Sequence, residues 1–168
     1  MKTDPGNQLF LKTIVGLQKY RGKIIKNGRV ILAFQKASDT FLRITVQDEI
    51  DLSLKNRFSE SFDRQKIDHW LRELHLDKRK DSSVYSLSGG EKKKLQILLI
   101  VIQAPQIILL DEAFAGLDQK SVIKMISLLK ESSAAKIFVS HQLYALDSII
   151  DSAYKIQNKG LLKLEKLS

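Results

Sequence analysis

The sequence predicts an α/β domain: a mostly parallel sheet flanked by helices, with a small helical subdomain inserted into it. Three observations carry this reading. From residue 87 onward, apolar runs of strand length alternate with stretches of helical period. The clearest strands, Ile107–Leu110 and Ile137–Val139, are apolar without a polar alternation, as in strands buried on both faces. Residues 36–86 are instead polar, highly charged and helical in pattern, which sets them apart as an inserted unit.

Leu9, Phe10, Ile14 and Leu17 have helical spacing, and this first helix is expected to end near Gly16. Lys23–Ile25 and Arg29–Phe34 read as short strands around Asn27-Gly28, a hairpin signal, with Gln35 directly after the second. In the inserted unit, Asp63 is a candidate N-cap, and Ile67, Trp70, Leu71 and Leu74 share one helical face. The unit closes at the Ser86-Leu87-Ser88 turn. A helix over Gly89–Gln103 is expected to stop before Pro105, where proline cannot continue it. The strand Ile107–Leu110 follows, then a helix with Val122, Met125, Ile126 and Leu129 on one side, then the strand Ile137–Val139. A short helix near Leu143–Ile150 and a hairpin, Ala153–Gln157 with Leu161–Leu164, complete the reading.

At 168 residues the chain can bury one domain's core. The absence of cysteine excludes a disulfide framework and a thiolate metal site, and it fits a cytoplasmic setting. The start, Met1-Lys2-Thr3-Asp4-Pro5-Gly6, is polar and turn-like, unlike a secretion signal. Gln96, Gln103, Pro105 and Gln106 interrupt the most apolar stretch, Leu95–Leu110, so it is not a bilayer span. The net charge of +9, with clusters at Lys78-Arg79-Lys80 and Lys92-Lys93-Lys94, leaves an anionic partner surface or a solvated lysine-rich face. Few aromatics lie among the lysines, which disfavours nucleic acid. A moderate attraction to anionic headgroups suits a protein docked peripherally on the inner face of the cell membrane.

Ligands of such sheets bind at the C-terminal strand ends, where Gln35, Asp111, Glu112 and His141 fall. A strand ending in two acids can place Asp111 by a magnesium ion and aim Glu112 at an attacking water, since neighbouring strand residues point to opposite faces. In Leu87-Ser88-Gly89-Gly90-Glu91, Ser88 can cap the next helix, while the two glycines let backbone N–H groups approach an anion. That makes a receptor for a γ-phosphate. His141 can contact the same phosphate and fix water and acid. Gln35 can coordinate the metal and sense the nucleotide. His69 and His75 are read as surface residues.

In this order, these residues resemble the nucleotide-binding domain of ATP-binding-cassette (ABC) ATPases. Leu87–Glu91 resembles the signature motif, with Glu91 where Gln is commoner; Ile107–Glu112 the Walker B strand with its catalytic glutamate; Ala115-Gly116-Leu117-Asp118 the D-loop; Gln35 the Q-loop glutamine; and Ser140-His141 the switch histidine. Ala113-Phe114 departs from the usual Pro-Thr. Thr45-Val46-Gln47-Asp48-Glu49-Ile50 further resembles importer-type ATPases of energy-coupling-factor and cobalt systems. The resemblance implies a P-loop NTPase-like fold across one domain, with residues 1–35 and 87–168 as its α/β core and 36–86 as its helical subdomain. It implies ATP and Mg2+ as cofactors, Glu112 and His141 as catalytic residues, and Ser88, Gly89, Gly90, Glu91, Gln35 and Asp118 as nucleotide contacts. Asp111 and Gln35 are then the metal-binding residues. The implied partners are a transmembrane transporter subunit and a second ABC ATPase subunit, identical or different.

The chain contains no G-x-x-x-x-G-K-[ST] phosphate loop. Where the family has Gly-Lys-Ser/Thr before its first helix, this chain has Gly6-Asn7-Gln8. The expectation is a cassette whose N-terminal strands and phosphate loop are missing, by truncation or by degeneration, and whose first helix leaves Phe10, Leu11 and Ile14 partly unsupported. Family members pair head to tail, so Ser88–Gly90 can cap ATP held by a partner. The readings that follow are a transporter ATPase impaired in its own site, a non-catalytic signature-donating or regulatory subunit of a heterodimer, or a soluble ABC protein associated with nucleic acid.

Overall fold

The structure is a computed structural model describing residues 5–58, 62–141, 144–157 and 160–164, with only the backbone of residues 5–8. Its centre is a three-stranded parallel sheet in the order β1 (Val30–Ala33), β2 (Ile107–Asp111), β3 (Ala135–Val139). Val30 lies beside Ile107 and Ala33 beside Leu110; Ile107 lies beside Ala135 and Asp111 beside Val139. The alternation of side chains along β2 splits the interior in two. Ile108 and Leu110 join the main core, while Leu109 packs with Leu11 and Leu32 on the opposite face.

Helix α1 (Pro5–Ile14) covers that opposite face. Leu11 is 1% exposed, and Phe10 and Ile14 pack half-buried around it. The helix is therefore seated on the sheet through Leu11, to which Leu32 and Leu109 present apolar side chains, while Phe10 and Ile14 are only partly covered, as expected. It ends two residues before Gly16, which adopts φ +82°. Leu17 N–H donates to the Lys12 carbonyl at 2.9 Å and Gly16 N–H to that of Thr13 at 3.1 Å, a Schellman ending that glycine makes cheap. The side chains of Asn7 and Gln8 lie outside the described residues.

The hairpin expected around Asn27-Gly28 does not form. Among the described residues Lys23–Ile25 is not a strand, and β1 pairs in parallel with the distant β2. Gly28 serves close packing instead: at φ +100° a Cβ there would come within 2.6 Å of Gln106 Cγ. Gln106 Oε1 accepts from Arg29 N–H at 2.6 Å, fixing the entry to β1 beside the entry to β2.

Residues 36–86 carry α2 (Val46–Lys55), α3 (Arg64–Glu73) and short 3₁₀ turns. Thr45 caps α2, and Asp63 caps α3 by accepting from Lys66 N–H at 2.8 Å. Ile67, Trp70, Leu71 and Leu74 are buried, as their spacing predicts. Trp70 Nε1–H donates to Glu131 at 3.0 Å, satisfying the indole and tying α3 to the end of α5 (Gln119–Lys130). Helix α4 (Gly89–Gln103) runs through the centre of the core, with Leu95–Ile102 buried on every side. Near residues 143–150 the described chain forms a short 3₁₀ helix at Leu146–Ser148; Gln142 and Leu143 lie outside the described residues. Strands β4 (Ala153–Gln157) and β5 (Gly160–Leu164) pair antiparallel as expected, while Asn158 and Lys159 of their turn lie outside the described residues.

Candidate functional site

The register of the sheet brings three strand ends to one edge. Because Ala33 sits beside Leu110 and Asp111 beside Val139, Gln35, the Asp111–Glu112 pair and Ser140–His141 all emerge there within two residues of a strand end. Gln35 lies one residue further out than expected, since β1 ends at Ala33 and Phe34 intervenes. Asp111 and Glu112 are 6% and 5% exposed, whereas Gln35 and His141 are exposed. Asp111 Oδ1 is buried and accepts no hydrogen bond, while the residue keeps a further interaction elsewhere.

The two acids diverge by a mechanism other than strand alternation. The strand stops at Asp111, and Glu112 turns to φ +49°, the left-handed region that costs a residue with a Cβ on the order of 1–2 kcal/mol. Several bonds hold it there. Glu112 N–H donates to the Val139 carbonyl at 2.9 Å, and its own carbonyl accepts from Ala115 N–H at 3.1 Å. Its side-chain Oε1 accepts from His141 N–H at 3.1 Å and lies 3.9 Å from His141 Nε2. The carboxylate and the imidazole are thus neighbours at one corner of the edge.

Ser88 begins α4 with a capping box. Its hydroxyl accepts from Glu91 N–H at 3.3 Å, and Glu91 Oε2 accepts from Ser88 N–H at 2.8 Å. Arg79 Nε lies 3.2 Å from the other Glu91 oxygen. The Ser88 backbone bond, then the Ser88 side-chain bond and Arg79, hold the Glu91 carboxyl below the usual range. At Gly89 a Cβ would meet nothing within 4 Å, so the helix start is open at that point. At Gly90 it would stand 3.4 Å from the Leu117 side chain, so this turn faces the loop after β2 with room for a methyl group between them. Asp118 ends that loop as the cap of α5, accepting from Ser121 Oγ–H at 2.7 Å and Ser121 N–H at 2.9 Å. Those bonds, the hydroxyl first, hold its carboxyl below the usual range. The carboxylates of Glu91 and Asp118 are therefore engaged in helix caps. His69 and His75 are exposed and far along the chain from the edge residues.

Two positioning contacts escaped the sequence reading. Lys93, half-buried one turn into α4, donates to the carbonyls of Glu112 at 2.9 Å and Ala115 at 2.7 Å. Burial pushes its ammonium below the usual lysine range, opposed in part by the charges of Glu112 and Asp111. Gln96, 1% exposed, donates to the Phe34 carbonyl at 3.3 Å and Thr40 Oγ at 2.6 Å, fixing the segment around Gln35. The basic clusters are likewise engaged. Lys92 reaches the Tyr85 carbonyl, Lys94 that of Leu74, and Lys80 pairs with Asp68 at 2.6 Å.

The oxygen donors of Asp111 and Gln35 suit a hard cation such as Mg2+, which binds one or two protein oxygens and completes its shell from phosphate and water. Among the described residues no group of three or more His, Cys, Asp or Glu could hold a metal ion by itself.

The profile described as ABC transporter matches residues 6–115. The chain belongs to the ABC transporter family. A Brucella suis protein named as an ABC transporter ATP-binding protein is 28% identical over 172 residues, covering 94% of this chain and 72% of that one. The lipopolysaccharide export system ATP-binding protein LptB of Escherichia coli K12 is 30% identical over 133 residues, and the match spans 76% of this chain but only 55% of LptB. In structure, an ATP-binding subunit of an ABC transporter aligns over 88% of this chain and 68% of its own with TM-score 0.75 at 23% identity. CbiO1 of Clostridium perfringens, part of the CbiONQ transporter complex, aligns over 89% and 68% with TM-score 0.63 at 22% identity. These likenesses show the α/β P-loop NTPase-type fold.

Proposed function

We propose that the chain is the ATP-binding subunit of an ABC-type membrane transporter, coupling ATP binding and hydrolysis to transport. The carrying observation is the arrival of Gln35, Asp111, Glu112 and His141 at one sheet edge, tied to the capped Ser88–Gly90 turn. In this reading Asp111 and Gln35 hold Mg2+, which supplies charge neutralisation on the phosphates. Were a nucleotide seated on this chain's own edge, Glu112 would orient the attacking water and take its proton, and His141 would fix Glu112 and reach the γ-phosphate. The N–H groups at Ser88–Gly90 face the γ-phosphate of a nucleotide on a second ABC subunit, with Glu91 and Asp118 shaping the surface that meets it. Residues 1–35 and 87–168 then form the α/β core, and 36–86 the helical subdomain.

Asn7 and Gln8 replace the lysine and hydroxyl residue that would grip phosphate and magnesium. This supports a chain impaired in its own site that donates its signature turn to a partner, and favours the heterodimeric arrangement. An exposed apolar strip supports a transmembrane partner. Leu42, Ile44 and Tyr85 are 76%, 69% and 61% exposed, and Val84 N–H donates to the Ile44 carbonyl at 2.8 Å, bringing the two segments together. No helix among the described residues is long and apolar enough to cross a membrane. A peripheral position on the inner membrane face gains support from Lys19, Arg21 and Lys23, which share an exposed loop with Leu17, Tyr20 and Ile25.

The test is ATP turnover by the 168-residue chain alone and mixed with a complete cassette carrying its own G-x-x-x-x-G-K-[ST] loop. Turnover is expected only in the mixture, with Ser88→Arg abolishing the stimulation and Glu112→Gln leaving it nearly intact. Ordinary ATP turnover by the chain alone, stopped by Glu112→Gln, would overturn the impaired-site reading.

A further inference from the structure

Helix α4 touches both functional turns. Its first turn carries the Ser88 capping box, and Gly90 faces Leu117 in the loop after β2 across a gap that a methyl group would fill. Lys93 and Gln96 are three residues apart, so they share a helical face. Lys93 holds the carbonyls of Glu112 and Ala115, and Gln96 holds the carbonyl of Phe34 beside Gln35. The turn that Lys93 grips is the one whose backbone is left-handed at Glu112. A left-handed residue with a Cβ persists only where its surroundings over-determine it. The Glu112 carbonyl has two acceptor positions, and both are used, one by Ala115 N–H and one by Lys93.

We propose that Lys93 is a positioning residue that makes the Ser88–Gly90 turn and the Glu112–Ala115 turn move as one piece. A load applied at the start of α4 passes through the rigid helix to the ammonium of Lys93. Two carbonyls then carry it into the turn that sets the direction of the Glu112 side chain. That the load is a partner's nucleotide rests on the function proposed above; the mechanical link is a property of this chain alone.

The experiment is a double-mutant cycle on the full chain without nucleotide, read by ¹⁵N–¹H NMR. Ser88→Ala, which loosens the capping box, is expected to shift the amide signals of Glu112–Ala115 and His141 in the otherwise native chain. With Lys93→Met, which keeps the length and loses the donor, the same Ser88→Ala change is expected to shift them less than half as far. Lys93→Arg is expected to restore the response. Equal shifts with and without the Lys93 donor, or no shift in the native background, would overturn the proposal. A second measurement covers failure of Lys93→Met to fold. In the native chain the Lys93 ¹⁵Nζ signal is expected to show couplings to the Glu112 and Ala115 carbonyl carbons and slower proton exchange than exposed Lys19. Exchange as fast as that of Lys19, with no couplings, would also overturn it. Because no arm uses ATP, failure here and failure of the nucleotide reading are separate results.

Discussion

Glu49 offers the sharpest stability prediction. It lies on α2 with 3% exposure, and its Oε1 accepts from the backbone N–H groups of both Leu42 and Arg43. Those bonds shape the segment that leaves Leu42 and Ile44 exposed. Hydrogen bonds to a charged group contribute about 1.5–3 kcal/mol each where the freed donors stay buried. Leu42 is 76% exposed, so water can reach its N–H once the carboxylate is gone, and the lower end applies. Glu49→Ala should therefore cost about 3 kcal/mol from the two bonds, or about 2.5 kcal/mol net of the few tenths regained from alanine's helix propensity. With a urea slope of about 2 kcal/mol/M, the unfolding midpoint should fall by about 1.3 M. Glu49→Gln keeps a carbonyl acceptor and should lose less than half as much. Equilibrium urea unfolding followed by circular dichroism measures both variants. If Glu49→Ala stayed within roughly 0.5 kcal/mol of the native chain, or Glu49→Gln cost as much as Glu49→Ala, the two-bond account would be wrong.

Other expectations concern pH and surfaces. Glu91 is held below the usual carboxylate range, so its stabilisation is present above the unfolded value near ~4.3 and is lost as pH falls through its depressed folded value. Glu91→Gln should accordingly flatten the acid limb of stability against pH. Lys93 and Lys136 are depressed by burial, so between their folded values and about 10.4 the unfolded chain binds more protons and stability rises with pH. Lys136→Gln should reduce that rise in thermal melts taken across the alkaline range. Vesicles containing anionic lipid should co-sediment the native chain at low salt, weakening as salt rises, while charge reversal at Lys19, Arg21 and Lys23 should abolish the binding; unchanged binding by the reversed chain would remove that loop from the account.

Much of the fold was legible because it is local. The run at β2, the cap at Ser88, the face of Ile67, Trp70, Leu71 and Leu74, and the Ala153–Leu164 hairpin depend on neighbours a few residues away. The Asn27-Gly28 reading failed because a glycine serves a tight turn and a close approach equally well. Only the structure shows that Gly28 makes room for Gln106, a residue far along the chain. The order of site residues along the chain pointed to the edge where they fall, but not to how Glu112 is aimed. Its left-handed backbone follows from bonds to Val139, Ala115 and Lys93, none of which leaves a pattern in the sequence. Lys93 looked like the middle of a basic cluster and Gln96 like a polar interruption of an apolar run. Both point inward to carbonyls that only the folded chain places within reach.

The most direct measurement is photocrosslinking with an ATP analogue carrying its reactive group on the γ-phosphate, in a mixture of this chain and a complete cassette partner. Mass spectrometry of the labelled peptides should place the label on Ser88–Glu91, and it should disappear when the phosphate-loop lysine of the partner is replaced. Labelling of this chain at the same level without any partner, or a label confined to surfaces remote from both Ser88 and the Gln35–Asp111–His141 edge, would contradict the account.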